Sequence, residues 1–264
     1  MDLMMNGKTA LVLAGSRGLG FATATELALH GARVVIVSRS EEAIQRAAKE
    51  LILQVPQAQV VPLAGDVSSA EDLARVYRCI QSECEGVDIL VNNCGGPSPG
   101  TFLELTDDEV WEQAYDLTLM SAVRSIRHAL PAMQKKGWGR IVNITSSSMK
   151  QPIPNLVLSN VFRAAVASLT KSIALEVGAS GILVNAVGPG RIATERVASL
   201  DLVTANETGL SLEEVSAQSA SRIPVGRYGT PQEFAKVVAF LASGANGYVT
   251  GQSLLVDGGL VSSM

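Results

Sequence analysis

The chain has 264 residues, 47% of them hydrophobic and 17% charged, with a formal net charge of −4. That balance describes a compact soluble protein of one domain (1–264), and its sign argues against nucleic acid or an anionic membrane surface as partner. No apolar run is long enough to cross a bilayer, and the N-terminus, MDLMMNGK, lacks the basic-then-apolar pattern of a signal peptide. The three cysteines, Cys79, Cys84 and Cys94, are an odd number without metal-ligand spacing, so a reduced, cytoplasmic location and no metal are expected.

Thr9 to Leu13 is a short apolar run that reads as a buried strand. The loop Ala14-Gly15-Ser16-Arg17-Gly18-Leu19-Gly20 follows, then an Ala-rich helix to His30 that Gly31 stops, then a second buried strand over Arg33 to Val37. Strand, glycine loop, helix and strand form the unit that binds a dinucleotide. Its glycines let backbone N–H groups approach a pyrophosphate, and the helix N-terminus adds partial positive charge. A carboxylate after the second strand would bind the ribose 2′-hydroxyl of NAD; this chain has Ser38 and Arg39 instead, with Arg17 inside the loop. Two guanidiniums beside that ribose favour a 2′-phosphate, hence NADP(H) over NAD(H).

Ser40 caps a helix to Leu53, Gln59 to Leu63 is a third strand, and Asp66 and Val67 stand at its C-terminal end, the sheet edge that meets ligands. Ser69 caps a helix to Cys84. Asp88 to Val91 runs into Asn92-Asn93-Cys94-Gly95-Gly96, whose small residues and amides allow close approach of a ligand. Thr106 and Glu109 read as a capping box opening a long helical region to Lys136, bent near Pro131. Arg140 to Thr145 is strand five, followed by Ser146-Ser147-Ser148, and a helix spans Asn155 to Ala179. His30 and His128 fall within helices and read as helix-face residues.

Leu183 to Val187 is strand six and ends in Gly188-Pro189-Gly190-Arg191-Ile192-Ala193-Thr194. From Glu195 to Arg222 the β-α rhythm breaks, with one helix expected over Ser211 to Ser221; a segment of this kind usually covers a ligand site. Thr230-Pro231-Gln232-Glu233 joins a capping box to a proline in the first turn of a helix ending at Ala242. Ser253 to Val256 is the last strand. The pattern predicts a doubly wound, Rossmann-type α/β fold of about seven parallel strands with helices on both faces.

These motifs together resemble the short-chain dehydrogenase/reductase family, most closely its 3-oxoacyl-carrier-protein reductase-like branch. The matching pieces are the glycine loop, Asp66-Val67, Asn92-Asn93-Cys94-Gly95, the serine after strand five, Pro189-Gly190 with Thr194, and GYVTGQSLLVDGG from Gly247 to Gly259. The resemblance implies that Pro189, Gly190, Ile192 and Thr194 line a nicotinamide, that 195–222 forms a substrate lid, and that the long helices pair in a homodimer or homotetramer. Ala14 departs from the family's glycine, and Gly15 is expected to take over the turn.

The family's catalytic tetrad is Asn, Ser, Tyr and Lys. By register from Trp111, Ser146 and Asn185-Ala186-Val187, those positions are Thr118, Ser146, Ser159 and Arg163. Serine lacks the acidity of a tyrosine paired with lysine, and a guanidinium cannot serve as the proton source, although Arg163 can hold the nicotinamide ribose hydroxyls. Two functions follow. The first is an NADP(H)-dependent oxidoreductase in which Ser146 holds a carbonyl, with 3-oxoacyl compounds among the candidates, and Lys150 supplies the proton. The alternative is a catalytically silent NADP(H)-binding protein, a sensor or subunit.

Overall fold

The computed structural model describes residues 2–263. Seven short apolar runs form one parallel sheet: β1 (Thr9–Leu13), β2 (Arg33–Ser38), β3 (Val60–Ala64), β4 (Ile89–Asn92), β5 (Gly139–Ile144), β6 (Ile182–Pro189) and β7 (Ser253–Val256). Their order is β3-β2-β1-β4-β5-β6-β7, with Leu11 paired to Val35 on one side and to Leu90 on the other. Strand order reverses between β1 and β4, which opens a crevice at their C-terminal ends, where such sheets bind ligands.

Residues alternate between the sheet's two faces, so each strand feeds two cores. Ala10, Val12, Val34 and Ile36 pack on one face with α1 (Gly18–Leu29), α2 (Glu41–Gln54) and α9 (Pro231–Leu241), through Leu27, Ile44, Leu51, Phe234 and Val238. Leu11, Leu13, Val35 and Val37 pack on the other with α3 (Ala70–Glu83), α5 (Ser121–Lys136) and α6 (Val157–Val177), through Leu73, Ile80, Ile126, Met133 and Ala174. The doubly wound architecture expected from the sequence is what forms.

Helix boundaries follow capping chemistry. Ser40, Ser69 and Thr230 each accept a backbone N–H of the following first turn, as expected, and Gly31 ends α1 with φ +85°. Thr106 does not cap. Asp107 does, accepting from Glu109 N at 3.0 Å, and opens α4 (Asp108–Tyr115). The long helical region is interrupted by a π-turn over Asp116–Met120 and continues through Pro131. The irregularity therefore falls on Thr118, and inserted π-turns are often found at functional sites.

The segment after β6 also differs from expectation. Glu195–Thr208 is a helix, α7, before the expected α8 (Leu212–Ser221). Thr194 caps α7 and Gly209, with φ +72°, closes it. Its acidic and small polar sequence hides the helical period because little of it is buried: only Asp201 and Ala205 are.

Arg140 locks the base of the sheet. It is buried, with Nε donating to Ser243 O (3.0 Å), Nη1 to Gly139 O (2.8 Å) and Gly181 O (3.2 Å), and Nη2 to Asn246 O (2.9 Å), over the Trp138 ring. No other side chain spans those carbonyls in one plane. Arg140→Met should cost about 2–4 kcal/mol and lower Tm by roughly 5–15 °C by calorimetry; an unchanged Tm would show that these carbonyls find other partners.

Candidate active site

The glycine loop carries its turn at Ala14, which holds φ +48°, while Gly15 stays out of the left-handed region and donates its N–H to Val37 O. The expectation that Gly15 takes over the turn is therefore wrong: Ala14 makes the turn and holds a Cβ where glycine would be unstrained. Gly20 cannot be replaced, since a Cβ there would stand 2.3 Å from Ala14 O and 2.8 Å from Asn93 Nδ2. With Gly18 at φ +56°, these glycines let α1 start tight against β1. Arg17 is the N-cap of α1, and no side chain caps that turn, in contrast to α2, α3, α4, α7, α8 and α9. A first turn with open N–H groups and room for close approach fits a dinucleotide pyrophosphate.

The other expected cofactor residues gather round this loop. Asn93 Nδ2 donates to Ala14 O at 3.3 Å, and Gly65 N donates to Ser38 O at 2.9 Å. Thr194 lies against the loop, its Cγ2 3.8 Å from the Cβ position of Gly18. Leu19 packs beneath the loop on the core, and Ser16 and Cys94 are half-buried beside their glycines. Val67 is buried. Asp66 folds onto its own turn, accepting from Ser68 N (2.9 Å) and Ser68 Oγ (2.7 Å), while its N–H donates to Asp72 Oδ2 at 2.8 Å. That backbone bond, with Arg75 beside it, holds the Asp72 carboxyl below the usual range.

Pro189 pairs with Val256, Gly190 lies so close to Asp257 that a Cβ would stand 2.5 Å from its Cβ, and buried Ile192 bridges to Gly229. Arg39 is exposed. Arg17 is exposed too and pairs with Glu195 of α7 at 2.8 Å, so the loop and the segment after β6 are joined by an ion pair the sequence did not suggest.

At the catalytic positions, Ser146 is extended and its Oγ accepts from Ser148 N at 3.1 Å. Its own O–H therefore remains to donate outward. Arg163 is only 6% exposed, with Nη1 donating to Ile144 O at 2.8 Å and Nη2 to Gly95 O at 3.4 Å. Thr118 is buried, and its Oγ1, like Asn92 Oδ1, has no protein partner. Both residues line a small cavity of about 10 Å³ shared with Arg163 and Asn143, the size of one water. Asn143 anchors it, accepting from Asn92 Nδ2 (2.7 Å) and donating to Thr170 Oγ1 (2.8 Å). Ser159 is half-buried in the first turn of α6.

Lys150 lies at the end of the 3₁₀ turn Ser147–Met149, exposed and outside every ion pair among the described residues. Its ammonium is in solvent and does not share the burial of Arg163. Arg196, in the first turn of α7, is the cation that shares a loop with Arg163. Its Nη2 donates to Pro97 O at 3.2 Å, and its guanidinium lies over Gly96. Arg196 and Asn143 were both missed; an arginine two residues after Thr194, and a polar residue inside an apolar strand, were the available signals.

The family model described as "Enoyl-(Acyl carrier protein) reductase" matches residues 13–261. Among curated relatives, the NADPH-dependent reductase BacG of Bacillus subtilis (strain 168) is 32% identical over 260 residues, covering 98% of this chain and 100% of that one. The 3-oxoacyl-[acyl-carrier-protein] reductase FabG of Aquifex aeolicus (strain VF5) is 33% identical over 261 residues, with 98% and 100% covered. Among solved structures, L-sorbose reductase from Gluconobacter frateurii, complexed with NADPH and L-sorbose, superposes with a TM-score of 0.94 at 32% identity, over 100% of both chains. Its matches in sequence and structure, laid on the glycine loop, crevice and Ser146 described above, place the chain in the short-chain dehydrogenase/reductase family, as one of its enzymes.

Proposed function

We propose that this enzyme reduces a carbonyl compound, or oxidises the matching alcohol, with NADP(H), and that 3-oxoacyl compounds head the candidate substrates. The observation that carries the reading is the uncapped α1 turn facing the crevice edge where Ser146 keeps a free O–H. When bound, NADPH supplies the hydride to the carbonyl carbon. Ser146 donates its hydroxyl hydrogen to the carbonyl oxygen and orients it. Arg163, pinned by Ile144 O and Gly95 O, presents part of its remaining N–H groups to the nicotinamide ribose. Thr118 and Asn92 hold one water behind it. Ser159, smaller than a tyrosine, leaves room for substrate or water.

The oxygen also needs a proton, and Lys150, on the turn that follows Ser146, supplies it. Its exposure favours a second route, in which water is the donor. α7 and α8 cover the site as a lid, where Leu200, Leu202, Val203 and Leu210 suit an aliphatic chain and no aromatic residue offers a stacking partner.

The 2′-phosphate of NADP is bound by Arg17 and Arg39, with Ser38 in place of a repelling carboxylate. Arg17 must leave Glu195, but an exposed pair contributes only about 0.2–1 kcal/mol, against about 1.5–3 kcal/mol for a charge-assisted bond to phosphate. The phosphate wins. The assembly is a homotetramer, or the homodimer within it, paired through α4, α5 and α6, whose surface leaves Phe102, Tyr115 and Val161 exposed beside Trp111 and Phe162.

Fluorescence titration should give NADP a Kd roughly 10- to 150-fold below that of NAD, with Arg17→Gln and Arg39→Gln each eroding the gap; equal affinities would reject the phosphate site. Lys150→Met should lower kcat by about 10²–10⁴-fold with NADPH affinity intact. Full turnover in that variant, on a carbonyl compound the wild type reduces, would assign the proton to water. Light scattering should return four chains, and a monomer at low concentration would remove the pairing of α4, α5 and α6.

A further inference from the structure

Arg163 and Arg196 hold three consecutive residues between them: Arg163 bonds Gly95 O, Arg196 bonds Pro97 O, and the Arg196 Nη2 and Nε lie 2.9 and 3.1 Å from the Cβ position of Gly96. Two guanidiniums thus stand on either side of one short loop at the mouth of the crevice. Neither takes part in any ion pair among the described residues. The acids closest in sequence to Arg196 are engaged elsewhere: Glu195 pairs with Arg17, and Asp201 with Arg191 and Tyr228. Their carbonyl partners use only a few of the ten N–H donors.

This arrangement is unfavourable for the chain alone. A buried cation is normally matched by an anion, and Arg163 is buried with only carbonyls. Arg196 sits in the first turn of α7, the helix end that disfavours positive charge. Arg196 is exposed as a residue, and partial desolvation of its head against the loop, then the charge of Arg163, hold its guanidinium below its ordinary pKa. Gly95 and Gly96 are exposed, and a Cβ at Gly95 would meet nothing within 4 Å, so the loop leaves an anion free to approach. Both forks keep unused N–H groups with which to meet it.

We infer that the cleft is built for a carbonyl substrate that carries a carboxylate, with Arg163 and Arg196 as its receptor. This deepens the reductase reading and rests on it for the carbonyl. It predicts an acid rather than a neutral ketone or sugar as the preferred substrate, and it gives Arg196 a specificity role. The competing owner of these guanidiniums is the cofactor, through its phosphates.

The test is calorimetric titration of the NADP-loaded protein with 2-oxopentanoate and 4-oxopentanoate and with the methyl ester of each. At least one carboxylate should bind roughly 10-fold or more tightly than its ester. In Arg196→Gln that ratio should fall to within about two-fold while the NADPH Kd, read by fluorescence, stays within about two-fold of wild type. No carboxylate binding better than its ester would overturn the inference. So would an Arg196→Gln variant that loses NADPH affinity and keeps the ratio, since the guanidinium would then belong to the cofactor. Binding does not need turnover, so the two readings fail separately: a carboxylate preference with no NADPH oxidation keeps the anion receptor and sinks the reductase.

Discussion

The approach of α1 to the end of β1 is the contact on which the site depends. Gly20 lies within a Cβ's reach of Ala14 O, and Asn93 Nδ2 closes on the same oxygen. This packs the first turn of α1 into the gap where strand order reverses, and no side chain spends its N–H groups on a cap. The chain maintains that path with Ala14 in a left-handed conformation that costs about 1–2 kcal/mol. A strained residue in the phosphate turn indicates that the loop is held by its surroundings: by Gly15 N on Val37 O, by Asn93 and by the packing of Leu19.

A second layer of polar contacts carries the crevice floor. Asn92, Asn143 and Thr170 form a buried chain of hydrogen bonds across β4, β5 and α6, and it stops at Asn92 Oδ1 and Thr118 Oγ1 beside a cavity of one water's size. The π-turn places Thr118 there by adding a residue to the helix. Arg163 roofs the same cavity. The floor of the crevice thus combines a water-sized polar pocket with a guanidinium, a group that cannot release a proton.

Above that floor the charges are arranged by the segment after β6. Asp201, buried on α7, takes Arg191 and Tyr228 as partners and fixes the helix to the sheet edge. Glu195 then faces Arg17, and Arg196 faces the loop over Arg163. Two adjacent residues of one helix turn thus address the cofactor loop and the catalytic position.

Much of this was legible in the chain. The strands are continuous apolar runs because both sheet faces are buried, so their limits followed closely from local composition, while their spatial order came from the fold. The glycine loop between β1 and α1 and the Ser40, Ser69 and Thr230 caps could be read from spacing alone. Cap choice between Thr106 and Asp107 was not, since either residue suits the role and only the path of the chain selects one. α7 escaped notice because its stability comes from a cap, a closing glycine and one buried aspartate rather than from an apolar stripe. The sequence by itself determined which residue types stand at each strand end. Tertiary structure alone decided that Arg17 meets Glu195 across 178 positions, that Lys150 stays in solvent, and that Arg196 joins Arg163, because charge pairing depends on distances through space that sequence spacing does not encode.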